Sequence, residues 1–417
     1  MEGSGMARTA AVFDGDADIG ERLGIATICR SFGREQIEQV LRASGRETRR
    51  RRDMPEDLTV YFVIAMALLM HVNIREVLRC LWAGLRDIGH GEVRLTGKSG
   101  ISQARTRLGS EPLRQLYKNC VGPVATSATL GTHYKDWHLV AMDGSTLDVP
   151  DEIANRATFG GPTTYNDRSP FPQIRFVTLA EIGTRVMFGA EMADYATSER
   201  ELARAVVEHL RPGMLCITDR GFFSFDMMQR IRETGADALL RARKDIMLPV
   251  METLPDGSWR SELNTWRRTE RSDSGPSKPI PVRVVRYRLG GVENRDETYT
   301  LVTTILDPER APASDLAALY HERWEIETAF DELKTHLRGA RLCLRSKTPE
   351  LVRQEFHGLM LAHFAIRSLM HEAALKAKED PDRLSFTHGL RVIRRKIGHM
   401  VLLSPSAEEK SMERHPA

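Results

Sequence analysis

The chain has 417 residues, 41% of them hydrophobic, enough to bury one large core or to form two to three domains. Its longest apolar run, Val60 to Val72, falls short of the ~20 residues that a bilayer-spanning helix needs, so it reads as a buried helix and no membrane partner is expected. The net charge is only +3, but the 28% charged residues are unevenly used, and five widely spaced cysteines without a C-x-x-C pair argue against a zinc site or a redox dithiol.

Residues 1–19 read as a flexible amino terminus. Met1 to Arg8 lacks the basic, apolar, small-residue order of a secretory signal, and a cytoplasmic location is expected. Over 20–130, apolar residues recur at three- and four-residue spacing, as in Ile37, Val40 and Leu41, then Tyr61 to His71, then Ile74, Val77, Leu78 and Leu81, which predicts a compact helical domain. Arginines crowd at Arg46 and at Arg49 to Arg52; such a block suits a phosphate backbone, and a solvated linker explains it as well. Ser99 opens a helical segment carrying Arg105 and Arg107, followed after Gly109-Ser110 by a second helix around Pro112. A DNA-binding helix-turn-helix fits this stretch, with Arg105 and Arg107 as its contacts.

At Trp137 the pattern changes. Leu139 to Val149, Gln173 to Ile182 and Arg185 to Met192 read as three successive strands. A helix over Ser198 to Leu210 precedes a buried strand, Met214 to Thr218, that leads into Asp219; a helix from Ser224 and a strand from Ala238 follow. The order β-β-β-α-β-α-β predicts an α/β fold with a mixed sheet and flanking helices over 131–345, its sites at strand carboxyl ends. Over 243–307 alternation continues without helical period, which predicts a β-rich insertion; Trp259, Trp266, Arg267 and Arg268 cluster there. Amphipathic helices are expected over 346–403 and a disordered tail over 404–417.

Between insertion and tail, Tyr320, Arg323, Glu327 and Lys334 fall within about 60° of one another on a helix turning about 100° per residue. An apolar stripe of Ile326, Phe330, Leu333 and Leu337 lies beside them. Upstream, Asp143 and Asp219 sit in strands that otherwise read as buried, a costly placement unless compensated. Taken singly, each reads as a turn carboxylate bound by backbone amides. Together with Glu327 they make three carboxylates that a sheet and a helix can bring to one point. Like charges so close raise one another's pKa unless hard cations sit among them, and an oxygen-only set points to magnesium or manganese. Two such ions can activate a water or sugar hydroxyl on one side of a phosphodiester and stabilise the leaving oxygen on the other. Arg323 then suits a bidentate phosphate grip, Lys334 a point charge and Tyr320 a neutral donor. The bland alternative is a surface salt bridge between Arg323 and Glu327 and a core tyrosine. Asp148 is a reserve first carboxylate, although in a regular strand it faces away from Asp143. Asp151, Asp226, Glu325, Asp331 and Glu332 also compete, the last three lying off the stripe.

At these positions the chain resembles the insertion-sequence-four family of DDE transposases. The family's helix signature Y-x-x-R-x-x-x-E-x-x-x-x-x-x-K is matched by Tyr320, Arg323, Glu327 and Lys334; its D-G-[ST] strand by Asp143-Gly144-Ser145; its D-R-G-[FY] motif by Asp219-Arg220-Gly221-Phe222. The resemblance covers most of the chain. It implies a ribonuclease-H-like core, interrupted by the β-rich insertion and preceded by the helical amino-terminal domain. It implies cut-and-paste transposition: strand hydrolysis at element ends, a hairpin made by the new 3'-hydroxyl, and strand transfer into a target. Its cofactor would be two Mg2+ ions, or Mn2+, on Asp143, Asp219 and Glu327. Its partners would be double-stranded DNA, as terminal inverted repeats and target, and a second copy of the chain in a synaptic homodimer, within the bacterial cytoplasm and nucleoid. An aromatic of the insertion, Trp259 or Trp266, would hold a flipped base, although a core tryptophan explains either equally well. The alternatives are a catalytically inactive DNA-binding remnant or repressor, and a metal-dependent nuclease without strand transfer.

Overall fold

The computed structural model describes residues 25–47, 54–85, 96–162, 171–244, 246–264, 278–288, 298–339 and 343–396. The flexible terminus expected over 1–19, the run Arg49 to Arg52, the cluster Trp266 to Arg268 and the tail expected over 404–417 lie outside them. The chain divides into two compact units: Met1–Thr129 with Leu147–Ile174 and Phe330–Ala417, and Leu130–Thr146 with Arg175–Ala329.

The first unit is helical, and its centre explains its composition. The helix Glu56–Leu68 is apolar nearly all round and buried along almost its whole length, so other helices must cover every side of it. The cover comes from both ends of the chain: Ile25–Ser31, Arg34–Ala43, Ile74–Leu85 and Lys98–Leu108 from one, and the 29-residue helix Pro349–Ala377 from the other. The helices expected as a separate stretch over 346–403 therefore complete the helical domain expected over 20–130.

The helices Lys98–Leu108 and Glu111–Cys120 form with the break at Gly109-Ser110, but Arg105 and Arg107 are taken up by partners within the unit. Arg105 is 4% exposed; its Nε donates to Gln354 Oε1 at 2.8 Å and its Nη2 to Ser346 Oγ at 2.8 Å and to the Leu351 carbonyl. Arg107 donates to Glu56 Oε1 and to the Met54 carbonyl, each at 2.8 Å. The expected DNA contact of Arg105 is overturned by this burial: its guanidinium ties the two ends of the chain together. Arg107 is part-exposed and braces the start of the central helix.

The second unit is built on a ten-stranded sheet. Its strands are β1 (His133–Tyr134), β2 (Trp137–Asp148), β3 (Gln173–Glu181), β4 (Met187–Asp194), β5 (Met214–Thr218), β6 (Asp237–Arg241), β7 (Glu252–Thr253), β8 (Trp259–Leu263), β9 (Ile280–Arg288) and β10 (Thr298–Thr303). Their order is β4-β3-β2-β5-β6-β10-β9-β8-β7, with β1 on β2. β2, β5 and β6 run parallel, joined through helices that Ser198 and Ser224 cap by accepting the N–H of Glu201 and Met227. This is the ribonuclease-H-like mixed sheet with flanking helices.

The β-rich segment is not a body apart from that sheet. β10 pairs antiparallel with β6, Thr303 opposite Leu239, and β9, β8 and β7 continue outward. Left bare, β6 would present a row of unpaired backbone groups; the insertion covers it. The β3–β4 turn needs glycine at 183, where φ is +85° and a Cβ would come 2.9 Å from Thr132 and 3.0 Å from the Gly131 backbone.

The helix expected as one run from Tyr320 to Lys334 is interrupted twice. Ala313–His321 ends, a tight turn intervenes, and Trp324–Asp331 begins. Through the turn the bonds run three residues back, from Arg323 to Tyr320, Glu325 to Glu322 and Ile326 to Arg323. Beyond Asp331, Glu332–Leu337 widens into a π-turn, closed by Arg338 N–H on the Leu333 carbonyl at 3.0 Å.

Candidate active site

β2 and β5 pair in a register that ends at Met142 opposite Thr218. The next residues are Asp143 and Asp219, so two carboxylates come side by side at the carboxyl end of β5, on strands about 4.8 Å apart. Asp143 Oδ1 accepts the Gly144 N–H at 2.8 Å, and Oδ2 accepts from Arg323 Nη1 at 3.2 Å. Arg323 Nη2 donates to Glu327 Oε1 at 2.7 Å, and the Tyr320 hydroxyl donates to Asp219 Oδ1 at 3.3 Å. Asp143, Asp219, Tyr320, Arg323 and Glu327 thus meet within one unit. The tight turn makes this possible by letting Tyr320 reach one aspartate while Arg323 bridges the other to Glu327.

Burial pushes the Asp143 carboxyl up to about 6; Glu199 and Asp219 add to the rise, while the Gly144 amide and Arg323 oppose it. Burial also works against the charge on Arg323, but Glu327, Tyr320 and Asp143 outweigh it and hold the guanidinium above its ordinary value. The Tyr320 hydroxyl is pushed up by burial and by Asp219, which keeps it a neutral donor. Arg323 Nε is buried and has no acceptor among the described residues.

Lys334 lies in the helical unit, where burial and Arg338 lower its pKa against the pull of Asp148 and Asp331. Asp148 accepts from Gln173 Nε2 at 2.8 Å. The other competing acids have partners elsewhere: Asp151 pairs with Arg156, Asp226 with Arg204 and Arg230, Glu325 with Arg185, Asp331 with His336 and Glu332 with Arg367.

Two features escaped the sequence reading. Glu199, the first residue of the helix Glu199–Val206, brings its carboxyl against Gly144: a Cβ there would lie 2.6 Å from Glu199 Cδ. Glycine beside Asp143 is what lets this fourth carboxylate approach, and the Ser198-to-Glu201 capping pattern marked the helix start. Near Tyr320, Tyr299 stacks on Tyr287 with centroids 5.3 Å apart, Arg241 lies 4.2 Å over the Tyr299 ring, and Tyr299 is 6.4 Å from the Tyr320 ring. Trp259, by contrast, is buried in the sheet with Arg286 over its ring at 5.0 Å, and Trp266 lies outside the described residues.

Among the described residues no three His, Cys, Asp or Glu side chains stand close enough together to hold a metal ion. The Arg323 guanidinium provides the positive charge between Asp143 and Glu327. The donor set nonetheless suits a hard cation, being oxygen alone, without thiol or imidazole, and acidic. No described helix is long and apolar enough to cross a membrane.

Residues 22–118 match the insertion element 4 transposase N-terminal family, and residues 138–365 match the transposase DDE domain. The chain belongs to the DDE transposases. The transposase is 28% identical over 374 residues to the transposase InsG for insertion sequence element IS4 of Escherichia coli strain K12, covering 89% of this chain and 82% of InsG. It is likewise 28% identical over 270 residues to InsZ of the same strain, covering 61% of this chain and 86% of InsZ. A cryo-EM structure of the piggyBac transposase synaptic complex with hairpin DNA is similar over 96% of this chain and 87% of that one, with TM-score 0.48 and 12% identity. As an insertion-sequence transposase the protein is an enzyme of DNA phosphoryl transfer that depends on divalent metal.

Proposed function

We propose that this transposase cuts DNA at the ends of its insertion sequence and joins them to a target through Asp143, Asp219 and Glu327. One observation carries the assignment: Arg323 bridges Asp143 to Glu327 directly beside the Asp143–Asp219 pair. These carboxylates would hold two Mg2+ ions, with Mn2+ as a substitute. Such ions, when bound, make the attacking hydroxyl acidic and neutralise charge on the scissile phosphate.

The side chains do the rest. Arg323 Nε is buried and has no acceptor among the described residues, so it keeps a donor for a phosphate oxygen beside the guanidinium's bonds to Asp143 and Glu327. Tyr320 donates a hydrogen bond at any pH the enzyme meets, and Lys334 supplies a point charge to a flanking phosphate. Tyr299 is sandwiched between Tyr287 of β9 and Arg241 of β6, so the stacking of an unstacked base falls to Trp266. The partners are terminal inverted repeats and target DNA, bound by a homodimer that pairs the two ends.

The test uses the full chain, a duplex carrying the element end, and magnesium. Glu327→Gln is expected to bind that duplex and to lose cleavage by about 1,000-fold or more, in line with loss of a metal-binding carboxylate. Full cleavage by this variant would remove Glu327 from the site. Equal wild-type cleavage in chelator would sink the metal assignment, and binding without cleavage by the wild type would make the protein a DNA-binding remnant.

A further inference from the structure

Because the helix Trp324–Asp331 starts afresh after a tight turn, it does not inherit its orientation from Ala313–His321. Its rotation about its own axis must be fixed from outside, since Glu327 meets Arg323, and through it Asp143, from one side only. Glu325 lies about 200° around the axis from Glu327, and there Arg185 grips it with both prongs: Nε to Oε2 at 2.6 Å and Nη2 to Oε1 at 2.9 Å. The two side chains are 12% and 15% exposed, so the pair is shielded from water and geometrically specific.

Arg185 sits in the β3–β4 turn with φ of 58°, the left-handed region that a branched or long side chain occupies at a cost. The turn is braced to keep it there. The Arg185 N–H donates to the Glu181 carbonyl at 2.9 Å, and Thr184 Oγ1 donates to the Glu181 carboxylate at 2.5 Å. Glu181 is fully buried, and its other oxygen lies 2.7 Å from His138 Nε2 on β2, the strand that carries Asp143. A buried carboxylate thus locks the turn, the turn locks Arg185, and Arg185 locks the helix.

We infer that Arg185 is a positioning residue of the transposase: through Glu325 it sets the roll of the helix Trp324–Asp331 and so the direction in which Glu327 points. The inference rests on the proposed role of Glu327. It gives the β3–β4 turn a function and takes Glu325 out of metal binding.

A charge-swap cycle tests it. Arg185→Glu and Glu325→Arg, each made alone in the full-length protein, are expected to slow cleavage of an element-end duplex about tenfold or more at saturating DNA, with duplex affinity unchanged within about twofold. The double variant is expected to recover most of the rate, and Arg185→Lys part of it. Hydrogen exchange on the DNA-free, metal-free protein supplies a readout apart from activity: amides of 324–331 should exchange faster in each single variant and return toward wild type in the double. Single variants that cleave and exchange like wild type, or a double variant no better than the product of the singles, would overturn the inference. A Glu327→Gln protein that still cleaves would overturn the role of Glu327 alone, because the exchange cycle reports on the Arg185–Glu325 pair whatever Glu327 does.

Discussion

Asp143 and Asp219 stand next to each other on parallel strands, each one residue beyond the Met142–Thr218 pair. A fold without a use for that pair would gain by separating it. Burial above all, with smaller contributions from Glu199 and Asp219, raises Asp143 to about 6, well above the ordinary 3.8. For a carboxyl shifted upward, the stability contributed by the protonated form is complete below about pH 4 and is lost as pH rises through about 6. Asp143→Asn cannot ionise and escapes that loss. In metal-free buffer it is expected to exceed wild type by roughly 2–3 kcal/mol at pH 7, with the gap closing by about pH 4, while cleavage is abolished. Urea unfolding across that range is the measurement; a gap that does not change with pH would refute the account.

The same proton competes with the cofactor. Below about pH 6, apparent magnesium affinity should fall by up to about tenfold per pH unit as Asp143 takes up its proton. Cleavage rates titrated with magnesium at pH 5.0, 6.0 and 7.5 should need progressively less metal as pH rises. An affinity flat across this window would mean that Asp143 is not a ligand.

Arg105 separates structure from DNA contact. Its buried guanidinium is bonded to Gln354, Ser346 and the Leu351 carbonyl, so Arg105→Ala should cost about 3–5 kcal/mol of stability, the range for orphaning a buried charged network. At temperatures where the variant stays folded, the salt dependence of its DNA affinity should match wild type, because no phosphate contact is lost. A shallower salt slope with an unchanged melting temperature would restore Arg105 to the DNA interface.

Trp266→Ala should leave duplex binding nearly intact and weaken the capture of an unstacked base by about 1–3 kcal/mol. A 2-aminopurine probe next to the cleaved bond would report it: fluorescence quenched by stacking in wild type should rise in the variant. Equal quenching in both proteins would mean that Trp266 captures no base.

Much of this site is legible in the amino-acid sequence. Asp143 and Asp219 stood out as charges inside apolar strands, and Arg323 and Glu327 by their four-residue spacing. The strand register that joins the aspartates was not, because parallel pairing is decided between segments some seventy residues apart. The stripe ending at Lys334 assumed one regular helix. No glycine or proline marks the turn at Glu322-Arg323 or the π-turn after Asp331, so nothing local announced them; buried partners such as Arg367 for Glu332 did not show in the sequence. Arg105 misled for the same reason, since a basic helix reads as surface until its cover, Gln354, is known to arrive from the far end of the chain.

The cover over the helix Glu56–Leu68 has a consequence for synthesis. A chain emerging from the ribosome makes this apolar helix well before Pro349–Ala377, which seals it, because all the strands of the sheet are translated in between. Until then the nascent amino-terminal half carries an unsealed apolar surface of the kind that chaperones bind. A message truncated before the codon for Pro349 would therefore yield no finished amino-terminal domain.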